Sequence, residues 1–151
     1  EIFLNQAFFL TQINNAVTGN INGNGDVFFQ NESKPIISKG FDTYIKATVD
    51  EWELYIGYTF TIAENKFLTN NQFIPLTPRN RFAMTALKEM NTWKAGMEAS
   101  YTGQQHRLDY SFTPGYLFIA TMISKDFGKH FTAVLNCENL LDYRQSKKET
   151  L

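Results

Sequence analysis

Apolar and polar residues alternate along most of this chain, in runs of about ten, and loops rich in Asn, Gly and Pro separate the runs. A period of two places successive side chains on opposite faces, so each run predicts a β-strand with two chemically different faces. The pattern is clearest from Trp52 to Ala63. There Trp52, Leu54, Ile56, Tyr58, Phe60 and Ile62 share one face, and Glu53, Tyr55, Gly57, Thr59, Thr61 and Ala63 share the other. It recurs where Trp93, Ala95, Met97, Ala99 and Tyr101 oppose Lys94, Gly96, Glu98, Ser100, Thr102 and Gln104. Phe131, Ala133, Leu135 and Cys137 likewise oppose Thr132, Val134, Asn136 and Glu138, and Phe41–Val49 behaves the same way.

Seven strands are expected on this basis: Ile2–Ile13, Val27–Val49 (frayed at first), Trp52–Ala63, Arg81–Met90, Trp93–Gln104, Gly115–Lys125 and His130–Leu141. Long connections, Asn14–Asp26, Glu64–Asn80 and Gln105–Pro114, follow the first, third and fifth strands. Short turns, Asp50-Glu51, Asn91-Thr92 and the four residues from Asp126 to Lys129, follow the second, fourth and sixth. The expected fold is therefore all-β, an antiparallel up-and-down meander. Long loops kept at one end and short turns at the other are the habit of outer-membrane barrels.

Alternation does not say which face is outside. A lipocalin-like barrel or a soluble sandwich buries its apolar face, whereas a membrane barrel turns it to lipid. Trp52 and Trp93 directly follow short turns, and Phe60 and Tyr101 lie eight residues on, on the same face. Eight residues of a strand tilted by about 40° rise roughly 20 Å, close to the height of an apolar band between two aromatic girdles. These four residues are read as a membrane girdle, because amphipathic rings settle at headgroup depth. On the opposite face Glu53, Lys94, Glu98, Asn136 and Glu138 are interleaved with Gly57, Gly96, Ser100, Thr59 and Thr61. That mixture suits a wide polar lumen packed against something, rather than bulk water.

Composition agrees with strands: the aromatic share is 15%, with 14 Phe and 7 Tyr, and there are only 4 Pro. Lys+Arg number 14 and Asp+Glu 15, a balance that argues against nucleic-acid binding. The single cysteine, Cys137, excludes an internal disulfide and a cysteine-rich metal site. No apolar run is long enough for a membrane-spanning helix. With no initiator Met, no leader and a strand beginning at once, the chain is expected to be a piece of something longer.

Several segments resemble the C-terminal β-barrel portion of TonB-dependent outer-membrane receptors, of a Bacteroidetes-like type. The exit from the last strand, from Asn136 to Gln145 with Asn139-Leu140-Leu141-Asp142 at its centre, is similar to a signature near that family's C-terminus. Lys39-Gly40-Phe41-Asp42 resembles its strand entry, the run from Glu53 to Thr61 its long-loop-bound strand, and the run from Pro75 to Arg81 its Pro-and-basic re-entry. The resemblance implies a 22-strand transmembrane barrel in the bacterial outer membrane. It also implies a plug domain in the same full-length chain, TonB as the partner supplying energy, and uptake of a scarce nutrient such as a ferric siderophore, haem, cobalamin or glycan. The expectation is a fragment of one barrel domain, without plug, TonB box or last strand, and with an odd strand count. A passive porin, a barrel adhesin and a soluble ligand-binding β-barrel or sandwich remain the alternatives.

Few residues suggest chemistry. His106, Arg107, Asp109 and Tyr110 cluster after the fifth strand and are candidates for ligand contact, the other reading being a hydrated loop tip. Arg79 and Arg81 flank the Pro-bounded re-entry and either attract an anionic substrate or anchor a strand end. Glu53 and Glu98 are expected to face the lumen and to contact the plug, since no nucleophile or metal set accompanies them. Asn20, Asn22, Asn24 and Asp26 echo the opening of a calcium loop, but its first three ligand positions lack carboxylates and Asn31 stands where a bidentate Glu belongs, so a flexible outer loop is the other reading. No catalytic residue, cofactor or metal site is expected.

Overall fold

The computed structural model describes residues 1–69, 72–107, 109 and 111–144. Among these the main sheet is formed by β1 (Ile2–Ile13), β4 (Ile36–Val49), β5 (Trp52–Asn65), β6 (Asn80–Met90), β7 (Trp93–Thr102), β10 (Tyr116–Phe127) and β11 (Phe131–Cys137). Their order across the sheet is the order along the chain, and the neighbours pair antiparallel. The expected seven-stranded meander is present.

Two long connections hold structure that alternation did not reveal. β2 (Val17–Ile21) and β3 (Val27–Asn31) form a hairpin of their own, so the long second strand expected from Val27 divides into β3 and β4. Pro35 lies at the division. Asn22 closes this hairpin: its Oδ1 accepts the amides of Asn24 (3.0 Å) and Asp26 (2.9 Å). β8 (Gln105–His106) and β9 (Phe112–Thr113) form a shorter hairpin.

The last strand is also shorter than expected. β11 ends at Cys137, and Asn139 turns the chain at φ 51°. Its side chain accepts the Tyr143 amide (2.9 Å) and donates to the Tyr143 carbonyl (3.0 Å). Before that turn closes, the Leu140 amide still donates to the Ile119 carbonyl of β10 (2.9 Å). The short turns at the other end need a left-handed residue, and Asp50 (φ 52°), Asn91 (φ 48°) and Gly128 (φ 70°) supply it. Asp, Asn and Gly adopt that conformation at least cost.

The sheet is a single layer. Ala63 is the one buried hydrophobic among the described residues. Phe8, Leu10 and Leu135 are at least 70% exposed on the two outermost strands. No helix among the described residues is long and apolar enough to cross a membrane.

Candidate functional site

Strand register assigns every paired side chain to one of two faces. Trp52 pairs with Val49 and Lys88, Ile56 with Ile45 and Met84, and Met97 with Ala86 and Thr121. These residues belong to the apolar face, with Phe8, Phe41, Phe60, Tyr101 and Leu135. Rings of Phe8, Tyr58 and Phe60 gather around Phe41, with centroids 5.7–6.2 Å from it.

The aromatic rows step regularly. Lys88 lies opposite both Trp52 on β5 and Ala95 on β7, so Trp93 is displaced two residues toward the turn over two strands. Trp93 lies opposite Lys125, which pairs with Ala133, so Phe131 is displaced by the same two residues again. Phe60 and Tyr101 keep this offset at the other end: Phe60 pairs with Asn80, and Tyr101 with Phe82, two residues further into β6. One residue per strand, about 3.3 Å along for about 4.8 Å across, corresponds to a tilt of roughly 35°. A tilted sheet therefore holds each row at one depth.

The polar face carries Glu53, Lys94, Glu98 and Asn136, with Glu138 just past the end of β11. Glu53 accepts the Tyr55 hydroxyl (2.7 Å) and lies 3.9 Å from Lys46. Lys94 holds Glu89 at 2.6 Å. Glu98 stands opposite Thr85 and Ala120, and it lines a depression of about 250 Å³ with Leu87, Gly96, Met122, Asn136 and Glu138. Glu53 and Glu98 are separated by strand β6, too far apart to act as a carboxylate pair. Cys137 is exposed on the apolar face.

At the long-loop end a cavity of about 490 Å³ is lined by Phe73, Arg79, Asn80, Tyr101, His106 and Phe112, among others. The His106 ring lies 4.5 Å from both Phe73 (stacked, 16°) and Phe112 (45°). The Arg79 guanidinium also lies over the Phe73 ring, 4.4 Å from its centroid. The Leu76 amide donates to the His106 carbonyl (2.9 Å) and ties two loops together. Burial first, and then the Arg79 charge, push the His106 imidazole below its ordinary pKa. Arrangements of this kind, a cation and flat rings around an open cavity, can hold an anionic or aromatic solute.

The loop-end candidates thus separate. Arg79 and His106 come together, while Arg81 lies on the polar face opposite Thr59 and Thr102. Asp109 sits in the tip between β8 and β9, where the hydroxyl and amide of Ser111 hold its carboxyl below the usual range. Arg107 joins that tip through its amide, which donates to the Ser111 carbonyl (2.9 Å). Tyr110 lies outside the described residues. Phe73 and Phe112 were missed in the sequence, where an aromatic inside a loop was the available signal. Lys88 and Lys125 were missed too. Each is the cation of the apolar face at the short-turn end, 5.1 Å from the Trp52 ring and 4.4 Å from the Trp93 ring.

Residues 2–140 match the family model for the TonB-dependent receptor-like β-barrel. Among solved structures, the ferric-catecholate import receptor Fiu from E. coli K12, in its closed form, aligns with a TM-score of 0.71 at 22% identity. The copper transporter OprC aligns with a TM-score of 0.76 at 11% identity. Each alignment covers 94% of this chain, but only 21% of the Fiu chain and 23% of the OprC chain. No curated protein matches the sequence.

Proposed function

This chain belongs to the TonB-dependent receptor-like β-barrel family, and on that premise we propose that it forms part of the barrel wall of an outer-membrane active transporter. In this reading the apolar face meets lipid, with Trp52 and Trp93 in one girdle and Phe60 and Tyr101 in the other. The polar face, with Glu53, Lys94, Glu98, Asn136 and Glu138, lines the lumen and meets the plug domain of the full-length chain. The long loops open to the outside, and the short turns face the periplasm, where TonB supplies energy for uptake.

The observation that carries this is the common stagger of the two aromatic rows, eight residues apart on β5 and β7. A lipid slab with two interfaces imposes such rows on a tilted sheet. A soluble sandwich imposes no such constraint, and it requires a second layer over the apolar face. The family membership supports an active receptor over a passive porin or adhesin. The cargo is a scarce nutrient of the kind such receptors import, such as a ferric siderophore, haem, cobalamin or glycan. The cavity around Arg79 and His106 is its candidate first contact.

The reading is tested with the full-length receptor in the outer membrane, in a Cys137→Ser background. Thr85→Cys should react with a water-soluble maleimide once the plug is displaced by mild denaturant, and Met84→Cys should not. Equal labelling of both positions overturns the assignment of faces. Uptake that persists in cells lacking TonB overturns the active-transport half and favours a porin.

A further inference from the structure

The apolar face carries few charges, and they are placed unequally. Lys39 and Glu64 lie toward the long-loop end; Lys88 and Lys125 are the only charged residues on its strands at the short-turn end. Each of these two lysines stands directly across from a tryptophan, Lys88 from Trp52 and Lys125 from Trp93. The chain contains two tryptophans, and both are used in this way. The ammonium groups lie 5.1 and 4.4 Å from the indole centroids, and Lys125 also lies 5.3 Å from the Phe127 ring.

Among the described residues neither lysine has a carboxylate partner, and neither indole N–H has an acceptor. Trp52 and Trp93 are 50% and 41% exposed. Each pair therefore presents two unspent donors, an ammonium and an indole N–H, beside an exposed flat ring. The two pairs are two strands apart and offset by two residues, which keeps them at one depth in a sheet tilted by roughly 35°.

We propose that the Trp52–Lys88 and Trp93–Lys125 pairs form a docking band for the phosphate headgroups of anionic phospholipids in the periplasm-side leaflet. The proposal rests on the assignment of the apolar face to lipid. Lysine suits this role because a compact ammonium meets a phosphate as a point charge. A zwitterionic headgroup brings its own ammonium into the same place, next to two uncompensated cations. An anionic headgroup does not, and at this end the strands carry no carboxylate on the apolar face to repel it, since Glu53, Glu89 and Asp126 lie on the opposite face. The indole stacked under each lysine holds the ammonium near the ring at headgroup depth, where a freely snorkelling lysine would range through the interface.

The test uses the full-length receptor in phosphatidylcholine vesicles doped with brominated phosphatidylglycerol or with brominated phosphatidylcholine. Quenching of Trp52 and Trp93 is read as the difference between the native receptor and the Trp52→Phe/Trp93→Phe receptor. Brominated phosphatidylglycerol should quench in excess of its mole fraction, by roughly fivefold per lysine at low salt, the factor expected of one cation near an anionic surface. The excess should vanish in Lys88→Gln/Lys125→Gln and persist in Lys88→Arg/Lys125→Arg. Equal quenching by the two lipids, or an excess that survives the glutamine variant, overturns the docking band and leaves the lipid-facing assignment standing. Absence of quenching by either lipid overturns both.

Discussion

Thr43 donates its hydroxyl to the Gln6 Oε1 at 2.6 Å, across the β1–β4 pair and near mid-strand on the apolar face. The Gln6 amide in turn donates to the Asp42 carbonyl at 3.1 Å. If this face meets lipid, as proposed, these two polar side chains satisfy each other where water would not serve them. Thr43→Val leaves the Gln6 carbonyl unpaired and should destabilise the folded receptor by about 1–3 kcal/mol in lipid vesicles. Gln6→Leu with Thr43→Val removes both groups and should recover most of that loss. A double-mutant cycle read by urea unfolding measures the coupling, and strictly additive effects would count against the pair being matched in lipid.

Gly40 is the most closely confined of the nine glycines. A Cβ there would lie 1.9 Å from the Phe60 carbonyl oxygen and 2.8 Å from the Phe9 ring. Backbone cannot yield as a side-chain tip can, so Gly40→Ala should separate β4 from β5 locally and cost more than about 2 kcal/mol. Gly57, on the neighbouring strand, has only the Ala83 carbonyl oxygen at 4.0 Å. Gly57→Ala should therefore be tolerated. Similar thermal midpoints for the two variants would show that the Gly40 contact relaxes.

These two glycines also mark what was legible in the sequence. Lys39-Gly40-Phe41-Asp42 resembled a family strand entry, but no pattern of apolar positions indicates a backbone approach, which depends on register. Register itself was half legible. Alternation fixed which residues share a face, from Trp52 to Ile62 and from Trp93 to Tyr101, because one buried or lipid-facing side fixes parity. It did not find the β2–β3 hairpin, since each of its strands is only five residues long and Phe28 and Asn31 break the alternation in β3. At the loop end, His106 and Arg79 stood out by residue type. Phe73 and Phe112 complete their stack through contacts between separate loops, which local sequence does not encode. Asn139 illustrates the remaining gap: the Asn139-Leu140-Leu141-Asp142 segment was conspicuous as a motif, yet its physical role is the turn that Asn139 closes onto Tyr143.

Met84 and Thr85 are adjacent on β6 and lie on opposite faces, opposite Ile56 and Tyr55 respectively. Near mid-strand they offer a direct comparison of the two environments. Met84→Arg should cost about 2–4 kcal/mol, the usual effect of a cation at the lipid-facing midplane of a barrel. Thr85→Arg places its guanidinium beside Glu98, which pairs with Thr85 from β7, and should cost far less. Chemical unfolding of the two receptors in vesicles provides the measurement. A larger loss for Thr85→Arg would reverse the sidedness of the sheet.

His106 gives the loop end a dependence on pH. Burial and the Arg79 charge hold its imidazole below the ordinary value, so the packed loops favour the neutral ring. With the loops detached, the ring protonates near its ordinary pKa of about 6.5. As pH falls through that value, the detached form takes up a proton that the packed form resists. The packing is therefore fully stable above about pH 6.5 and weakens as pH falls toward the depressed folded value. The Leu76 amide, which donates to the His106 carbonyl, reports this directly. Its protection from hydrogen exchange, corrected for intrinsic rate, should be constant from pH 7 to 8 and decline from about pH 6.5 to 5. His106→Phe keeps a ring between Phe73 and Phe112 without a titrating group, and should abolish the decline. A decline that persists in that variant would assign the acid sensitivity to another group, and constant protection in the native protein would remove His106 as a pH-sensitive part of the loops.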